Sequence, residues 1–481
     1  MPTLFPDFHD ANEFRTSSVV HVGPQGCLVG SVLEELLQED PSLAVARFAK
    51  LNLGQSDPVY TDHLGRSWTA EGISAIILRK MLRDVGAFAS ESIGSVTVTV
   101  PASFNDAQRK GTKAAVALAG LPSATLAEEP VAAAVYYGLS ESVRDQTLLV
   151  YDFGGGTFDA TLLQASPKGV FAIATDGVAV GGKDIDERLM RQVAVEFQRQ
   201  HGFSPLEDPV SRATLWRFAN ETKIQLSKPG RGLVRKTLLL SGRTLDFTIT
   251  RSQFDKLIEP LVEQTLQVCE RTLLGAGLSW SMVDKVLQVG GSSLLPIAHD
   301  ALRRRSGKAA EELICKQPHQ AVAYGAALLA GAGRLDSDGE GPEVRQIAAF
   351  DLGIRVADKA TGRPTVQVLI PRNAPLPASN VATFYTTRPD QTRLVIEVVQ
   401  CKSEGQESSL GRFAFGPIRK PRKNYPIEIQ LRYDSEGMAV VVARDPSTNE
   451  VMERQLGAED DVASNALREQ RGWLAGLRIN E

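Results

Sequence analysis

A strand that ends in an aspartate and leads into three consecutive glycines constrains this chain more than any other segment. The run is Tyr151-Asp-Phe-Gly-Gly-Gly-Thr-Phe-Asp159. Because glycine has no Cβ, the backbone N–H groups of such a turn can approach phosphate oxygens closely. Asp152 is then placed to hold Mg²⁺ through its waters, and Thr157 to reach a terminal phosphate. The alternative is a glycine-rich hairpin whose acidic residues only form the turn.

The surrounding segments predict an α/β fold. Residues 95–100, 147–151 and 285–289 have strand composition, and residues 106–119 read as a helix. Alternation of strands and helices is typical of covered sheets. The glycine turn is not a Walker P-loop, because no Gly-Lys-Ser/Thr follows it at a helix start, and it does not have the dinucleotide pattern either.

The composition changes after Gly331. Glycine, proline and acidic residues dominate residues 331–346, which is typical of a linker. Short strand-like runs separated by turn residues follow, and this spacing predicts a β-sandwich. The runs lie at residues 365–370, 393–399, 427–433 and 438–443.

Bulk composition excludes several classes of protein. The chain has 481 residues, a net charge of -4 and a pI of about 6.0, so it has no general attraction to nucleic acid or to an anionic membrane. Its four cysteines form no CxxC or metal-ligand spacing and read as reduced thiols. Without a signal-peptide pattern at the start or a long apolar run, we expect a soluble cytoplasmic protein.

Six segments follow one another in the order of a known family. They are Val98–Arg109, Ala127–Ala134, Asp152–Asp159, Gly177–Asp186, Val289–Pro296 and Pro318–Ala327. This set resembles the motifs of the seventy-kilodalton heat-shock (DnaK) chaperones, nearly letter for letter at the glycine turn. The resemblance implies an actin-like, ribonuclease-H-like ATPase domain with two lobes around a nucleotide cleft, followed by a β-sandwich that binds polypeptide. We expect the first domain over residues 1–330, a linker over 331–346, the sandwich over 347–457 and a short tail over 458–481.

The resemblance also implies a set of site residues for ATP or ADP with Mg²⁺. Glu129 matches a carboxylate implicated in catalysis and in coupling between domains, although an acid at a helix start is the alternative. Lys50 matches a catalytic lysine that would neutralise charge in phosphoryl transfer, although a solvated helix lysine is nearly as good a reading. The remaining matches are Asp152, Gly154, Gly155, Gly156, Thr157 and Asp159 at the phosphates and Mg²⁺, Gly181 and Gly182 beside them, Lys223 and Ser227 at the nucleoside, and Gly290 and Gly291 at the adenosine.

Three features depart from the family. In the family, a first phosphate motif of strand-turn-strand form precedes the segment that residues 14–20 resemble, and this chain has no such motif. Its absence predicts either a misplaced start codon or a truncated ATPase. Asn220 stands where an acid is usual, and Leu294 stands where a cation usually stacks on adenine. The linker lacks the leucine-rich run of the family, with Ile347 as its first strong apolar residue, so coupling between domains is left open.

In the second domain the resemblance implies an apolar peptide pocket. Its residues would be Ile354, Val356, Leu394 and Ile396, which alternate along two strands. Alternating apolar residues are more often sandwich core, and without the resemblance that reading is favoured. The long helical lid of the family is not matched, so we expect fast exchange of substrate. The basic run 419–423 reads as a solvated hairpin loop.

The leading hypothesis is an ATP-dependent chaperone whose affinity for unfolded or extended polypeptides is regulated by nucleotide. The resemblance implies a J-domain co-chaperone and a nucleotide exchange factor as partners, and neither nucleic acid nor membrane. One alternative is a peptide holdase that works without nucleotide, because of the missing motif and the altered linker. A small-molecule kinase of the actin-like fold is a third hypothesis, disfavoured by the second domain.

Overall fold

The computed structural model describes residues 2–5, 14–89, 93, 96–121, 124–140, 145–335, 343–358, 361–402, 406–456 and 461–479. It is a mixed α/β structure with several separate sheets. Three main hydrophobic cores organise it, and we call them the N-terminal core, the central core and the sandwich core. No helix in these ranges is long and apolar enough to cross a membrane.

The N-terminal part combines short strands with four helices. Its strands are β1 (Val19–Gly23), β2 (Gly26–Val29), β3 (Ala46–Arg47), β4 (Tyr60–Thr61), β5 (Ser67–Trp68), β6 (Val96–Val100) and β7 (Ala124–Glu128). Its helices are α1 (Ser31–Glu39), α2 (Ala70–Phe88), α3 (Asp106–Ala119) and α4 (Glu129–Ser140). The order β2-β1-β3 is antiparallel, whereas β6 and β7 form a separate parallel pair. Within the described residues, the second edge of β6 has no strand partner.

The central part is built on one six-stranded sheet. Five strands of this sheet are β8 (Gln146–Phe153), β9 (Phe158–Ser166), β10 (Gly169–Val178), β13 (Lys285–Val289) and β14 (Leu313–Ile314). Strands β11 (Leu233–Leu240) and β12 (Arg243–Thr250) form a separate two-stranded sheet. The helices of the central part are α5 (Gly182–His201), α6 (Pro209–Ser227), α7 (Arg251–Gly275), α8 (Pro296–Ser306) and α9 (Ala321–Leu335). Alternate residues of β8 enter different cores, because Leu149 and Tyr151 face one side of the sheet and Leu148 and Val150 the other.

The segment that composition marks as a linker contributes a strand of its own. Strand β15 (Glu343–Arg345) pairs in parallel with the start of β10 and becomes the edge of the six-stranded sheet, in the order β14-β13-β8-β9-β10-β15. Val344 packs partly buried against the sheet, and Ile347 is buried. This strand is therefore docked by backbone hydrogen bonds to β10, although the segment lacks the leucine-rich run of the family.

The strands after residue 350 form a β-sandwich. They are β16 (Asp351–Ala357), β17 (Pro364–Ile370), β18 (Ala378–Tyr385), β19 (Leu394–Cys401), β20 (Glu407–Phe415), β21 (Pro426–Tyr433), β22 (Ala439–Arg444) and β23 (Val451–Gln455). The two antiparallel sheets have the orders β17-β16-β19-β20 and β18-β21-β22-β23. Ile354 and Ile396 from one sheet share a core with Ile427 and Val441 from the other.

One end of the sandwich rests on the rest of the chain, and we call it the proximal end. The Ala439 N–H donates to Asp106 at 2.7 Å, and Arg109 donates to the Glu436 carbonyl at 3.0 Å. A second contact joins Lys402 to Asp176 at 2.6 Å. The sandwich is thus held both beside α3 and beside β10.

The C-terminal helix returns to the N-terminal core instead of extending the sandwich. Helix α10 (Asp461–Ala475) packs on α2 and α3. Trp473 lies edge-on to Trp68 with ring centroids 5.2 Å apart, and Leu474 is fully buried. Beyond the helix, the Cys27 N–H donates to the Arg478 carbonyl at 2.7 Å. The tail is therefore part of the N-terminal core.

We expect Leu474→Ala to lower the free energy of unfolding by about 2–5 kcal/mol, because it removes a fully buried side chain from the N-terminal core. Arg471→Ala on the exposed side of the same helix is the matched control and should change it by less than about 0.5 kcal/mol. Denaturant unfolding followed by tryptophan fluorescence checks both. Equal stability of the two variants would show that the tail does not contribute to this core.

Candidate nucleotide-binding site

A deep cleft separates the N-terminal part from the central part. Its cavity volume is about 2270 Å³, which exceeds the 300–1,000 Å³ of common ligand pockets. Phe48 from one wall meets Trp216 from the other with ring centroids 5.5 Å apart, and Arg217 donates to the Leu37 carbonyl at 3.1 Å. The cleft also continues along the open edge of β6.

The glycine turn lies at the floor of this cleft. The Gly154 N–H donates to the Thr157 carbonyl at 3.0 Å and closes the hairpin between β8 and β9. Gly155 is exposed at the tip, with open space where a Cβ would stand. A Cβ on Gly181 would lie 2.4 Å from the Gly156 nitrogen, so the turn and the start of α5 fit together only as glycines. The turn offers backbone to the cleft, and its role in binding phosphate stays a prediction.

Three carboxylates and one ammonium group meet beside the turn. Lys50 donates to Glu129 at 2.5 Å, and Asp152 is buried next to them at the end of β8. Burial raises the pKa of Asp152 well above its ordinary value, and the negative charges of Glu129 and Asp159 raise it further. Removal from water lowers the pKa of Lys50, but the three carboxylates outweigh this effect and leave it raised.

Asp159 lies one layer below the cleft, at the start of β9. It accepts a hydrogen bond from the Ser103 N–H at 3.2 Å and is almost fully buried. Burial raises the pKa of its carboxyl from 3.8 to about 6, with a contribution from the charge of Glu129. Its side chain therefore supports the cluster from beneath and does not face the cavity.

The far end of the cleft presents a second polar group. Lys223 on α6 donates to Asp186 on α5 at 2.7 Å, and the Asn220 amide donates to the same carboxylate oxygen at 3.1 Å. An acid at position 220 would place two carboxylates side by side, so the amide suits this cluster. The other oxygen of Asp186 is buried without a hydrogen-bond partner. An unsatisfied buried acceptor beside a cavity favours a ligand that donates a hydrogen bond there.

The structure brings most of the predicted site residues to one cavity. Its lining includes Lys50, Glu129, Asp152, Gly154, Gly155, Gly156, Thr157, Gly182, Lys223, Ser227 and Gly291. Gly181 and Gly290 lie just behind, where each lets the backbone approach the glycine turn: a Cβ on Gly290 would lie 2.4 Å from the Phe153 carbonyl oxygen. Leu294 is partly exposed and lines the same cavity.

Sequence reasoning missed three residues of this site. Asp186 is the last residue of a matched segment and pairs with Lys223. Ser292 donates to the Gly154 carbonyl at 2.8 Å and fixes the turn. His319 borders the position of a Cβ on Gly291. Each of these three residues lies within four positions of a glycine or proline in a matched segment. That position is the signal by which the sequence could have indicated them.

The predicted peptide-pocket residues divide into two pairs. Ile354 and Ile396 are buried in the sandwich core, with 3% and 0% exposure, so their side chains offer no surface to a peptide in this structure. Val356 and Leu394 are partly buried at the end of the sandwich that lies away from the rest of the chain. The role of these residues in peptide binding stays a prediction.

Comparison with known families agrees with this geometry. The chain matches the family model described as Hsp70 protein over residues 28–470. The chain belongs to the Hsp70 family. The resemblance of its six segments to DnaK-type chaperones is thereby confirmed. Hsp70 proteins are chaperones that bind ATP and act in protein folding, and their fold combines actin-like ATPase lobes with a β-sandwich.

The donor set of this Hsp70 protein fits Mg²⁺ held largely through water. Glu129, Asp152 and Asp159 carry more negative charge than Lys50 can neutralise, and hard carboxylate oxygens are what Mg²⁺ prefers. Within the described ranges, no three His, Cys, Asp or Glu side chains are grouped to hold a metal ion directly. Asp152 would therefore contribute one part of a shell completed by water and phosphate oxygens.

We expect Asp159→Asn to stabilise the protein more at pH 8 than at pH 5. A carboxyl whose pKa is raised from 3.8 to about 6 binds its proton more tightly in the folded state. Its contribution to the free energy of unfolding is therefore complete below its unfolded pKa and is lost as the pH rises through about 6. Asparagine has no charge to bury, so the gain at pH 8 should be on the order of 1–3 kcal/mol.

Thermal and denaturant unfolding across this pH range measure the effect. Asp390→Asn, at an exposed loop position, is the matched control. A gain for Asp159→Asn that does not change with pH would show that its carboxyl does not titrate between pH 5 and pH 8.

Proposed function

We propose that this chain is an ATP-dependent molecular chaperone that binds unfolded polypeptide segments and whose affinity for them is regulated by nucleotide. The observation that carries the proposal is the cleft floor, where an exposed glycine turn faces a carboxylate cluster and one lysine. Family membership supports the same activity. A J-domain co-chaperone and a nucleotide exchange factor are the partners we propose on that ground.

The residues of the cleft would perform phosphoryl transfer to water. The backbone of Gly154, Gly155 and Gly156 would cradle the phosphates, and Asp152 would hold Mg²⁺ through water. ATP, when bound, supplies the phosphoryl group that is hydrolysed. Lys50 would neutralise negative charge on that group, while Glu129 and Thr157 orient the attacking water.

A short chain of contacts supports coupling between the cleft and the sandwich. Glu129, which binds Lys50, directly follows Glu128, whose carboxylate accepts from Arg109 at 2.9 Å. Arg109 is buried and donates on its other side to the Glu436 carbonyl of the sandwich at 3.0 Å. The Glu128 N–H also donates to Gln346, next to the docked strand β15. A shift of Glu129 on nucleotide binding would move groups that touch the sandwich.

A second contact supports the same coupling. Asp176 accepts from Lys402 of the sandwich and from Arg271 of α7 at 2.8 Å. Burial raises the pKa of Asp176, but the two cations outweigh burial and hold it below its ordinary value. The carboxylate is therefore charged at neutral pH and holds the proximal end of the sandwich through an ion pair.

Calorimetry of the whole chain with ATP and Mg²⁺ should show binding. Lys223→Ala should weaken it at least about tenfold, because Asp186 loses its cation beside the ligand. Lys50→Ala should retain binding but lower the hydrolysis rate by about 10²-fold or more. Lys256→Ala, at an exposed position of α7, is the control and should match the unaltered protein. Absence of heat with ATP alongside retained peptide binding would support the holdase instead.

Lys402→Gln should reduce the effect of ATP on peptide affinity. The substitution removes one of the two cations of Asp176 and one contact with the sandwich. The ratio of peptide Kd values with and without ATP, measured by fluorescence anisotropy, should fall at least about threefold. Lys256→Gln, at the same exposed position of α7, is the control and should leave the ratio unchanged. An unaltered ratio for Lys402→Gln would place the coupling elsewhere.

A further inference from the structure

Two loops lie together at the end of the sandwich opposite the proximal end, and we call them the distal loops. The first is residues 386–393, between β18 and β19, and the second is residues 416–425, between β20 and β21. Both cross from one sheet to the other, so the basic run 419–423 does not close a hairpin. Val356 and Leu394 lie at the same end, because β16 runs towards it and β19 starts there.

Hydrogen bonds between the two loops fix their backbones. The Ile418 N–H donates to the Thr392 carbonyl at 2.7 Å. Thr386 is buried, and its hydroxyl donates to the Arg422 carbonyl at 2.6 Å while accepting from the Tyr425 N–H at 2.9 Å. Because these bonds hold the backbone in place, little conformational entropy is lost at the loops when a partner binds.

The distal loops concentrate positive charge. Six cationic side chains are exposed on them, against the single acid Asp390: they are Arg388, Arg393, Arg419, Lys420, Arg422 and Lys423. On the neighbouring turn, Asp445 is buried and accepts from the Tyr425 hydroxyl, and Glu450 is exposed. The surface is thus strongly cationic although the chain as a whole is acidic, with a net charge of -4.

Several other arginines of the sandwich form ion pairs with carboxylates. Arg355 and Arg412 pair with Glu397, and Arg432 pairs with Glu453. None of the six forms an ion pair with a carboxylate in the part of the chain that the structure describes. Arg422 lies over the Tyr425 ring at 5.5 Å, but a group of cations without carboxylate partners is suited to an anionic partner from outside.

Apolar side chains border the charge. Val395, two residues after Arg393, is 67% exposed, and Tyr385, at the end of β18, is 56% exposed. A nucleic acid would form ion pairs with the cations but make no apolar contact with Val395. A polypeptide that combines acidic and apolar residues would make both kinds of contact. The repulsion between a polyanion and the acidic remainder of the chain also favours a short acidic segment.

From this arrangement we infer that the distal loops select polypeptide segments in which an apolar stretch is flanked by aspartate and glutamate. The inference rests on the proposed function and names the class of segment that the sandwich binds. Val356, Leu394 and Val395 contact the apolar stretch of the segment. The six loop cations bind its acidic flanks and thereby determine which segments are preferred. Charge complementarity of this kind speeds association and disfavours segments with basic flanks.

Three labelled peptides of equal length test the inference by fluorescence anisotropy on the whole chain. They share one apolar centre and carry acidic, uncharged or basic flanks. The acidic peptide should bind at least about tenfold more tightly than the basic one. This preference should weaken as the ionic strength is raised to about 0.5 M.

Variants separate the loops from the rest of the molecule. The combined change Arg419→Gln, Lys420→Gln, Arg422→Gln and Lys423→Gln should abolish the preference while leaving the uncharged peptide bound. The pair Arg388→Gln and Arg393→Gln tests the first loop alone and serves if the fourfold variant does not fold. Arg303→Gln with Arg304→Gln, two exposed cations on α8, is the matched control and should keep the preference.

The outcomes distinguish this inference from the proposed function. Equal binding of the three peptides would overturn the inference and leave the chaperone proposal intact, with the loops merely solvated. Failure of every peptide to bind would overturn both. A single-stranded oligonucleotide of the same charge that binds as tightly as the acidic peptide would also overturn it, because the surface would then be a general site for polyanions.

Discussion

Excess negative charge buried at the floor of the cleft is the constraint on which the functional interpretation depends. Glu129, Asp152 and Asp159 converge there, with Lys50 paired to Glu129 and Lys402 acting on Asp159 from the side of the sandwich. Leaving such charges unpaired away from water is costly, and proteins avoid it by protonation or by binding a cation. The raised pKa values of the two aspartates reflect the first solution. A hydrated magnesium ion would be the second, and the exposed glycine backbone beside it suits the phosphates that usually accompany that ion.

The same cluster lies within one residue of the contacts that hold the sandwich. Glu128 and Glu129 are adjacent in the chain but face different partners, Arg109 on one side and Lys50 on the other. Because the two residues share one peptide unit, a shift of the backbone at Glu129 also displaces Glu128. Docking of Glu343–Arg345 beside β10 adds a second mechanical connection. The cleft and the sandwich are therefore connected through hydrogen bonds of Arg109 and through the pairing of β15 with β10.

Resemblance to the family made the cleft an expectation, and the matched glycines mark places where backbone approaches backbone or ligand. Four of the eight described strands of the sandwich, β17, β19, β21 and β22, were also predictable within a residue or two from their strand-like runs and turn residues. The period of two along a strand does not reveal which face is buried, so Ile354 and Ile396 could be proposed for a pocket although they lie in the core. Pairing between distant segments leaves no local signal either. Nothing near Trp473 indicates that its ring packs on Trp68, and nothing in the linker composition indicates a strand.

The return of the tail to the N-terminal core has a consequence for biosynthesis. Leu474 and Ile479 complete a core whose other members, such as Val20 and Trp68, leave the ribosome hundreds of residues earlier. This core cannot reach its final packing during translation of the first half of the chain. The sandwich is synthesised while its neighbour is still unfinished. Completion of the N-terminal core therefore waits for helix α10, and a ribosome that stalls before residue 461 would release a protein in which the apolar surface under this helix is exposed.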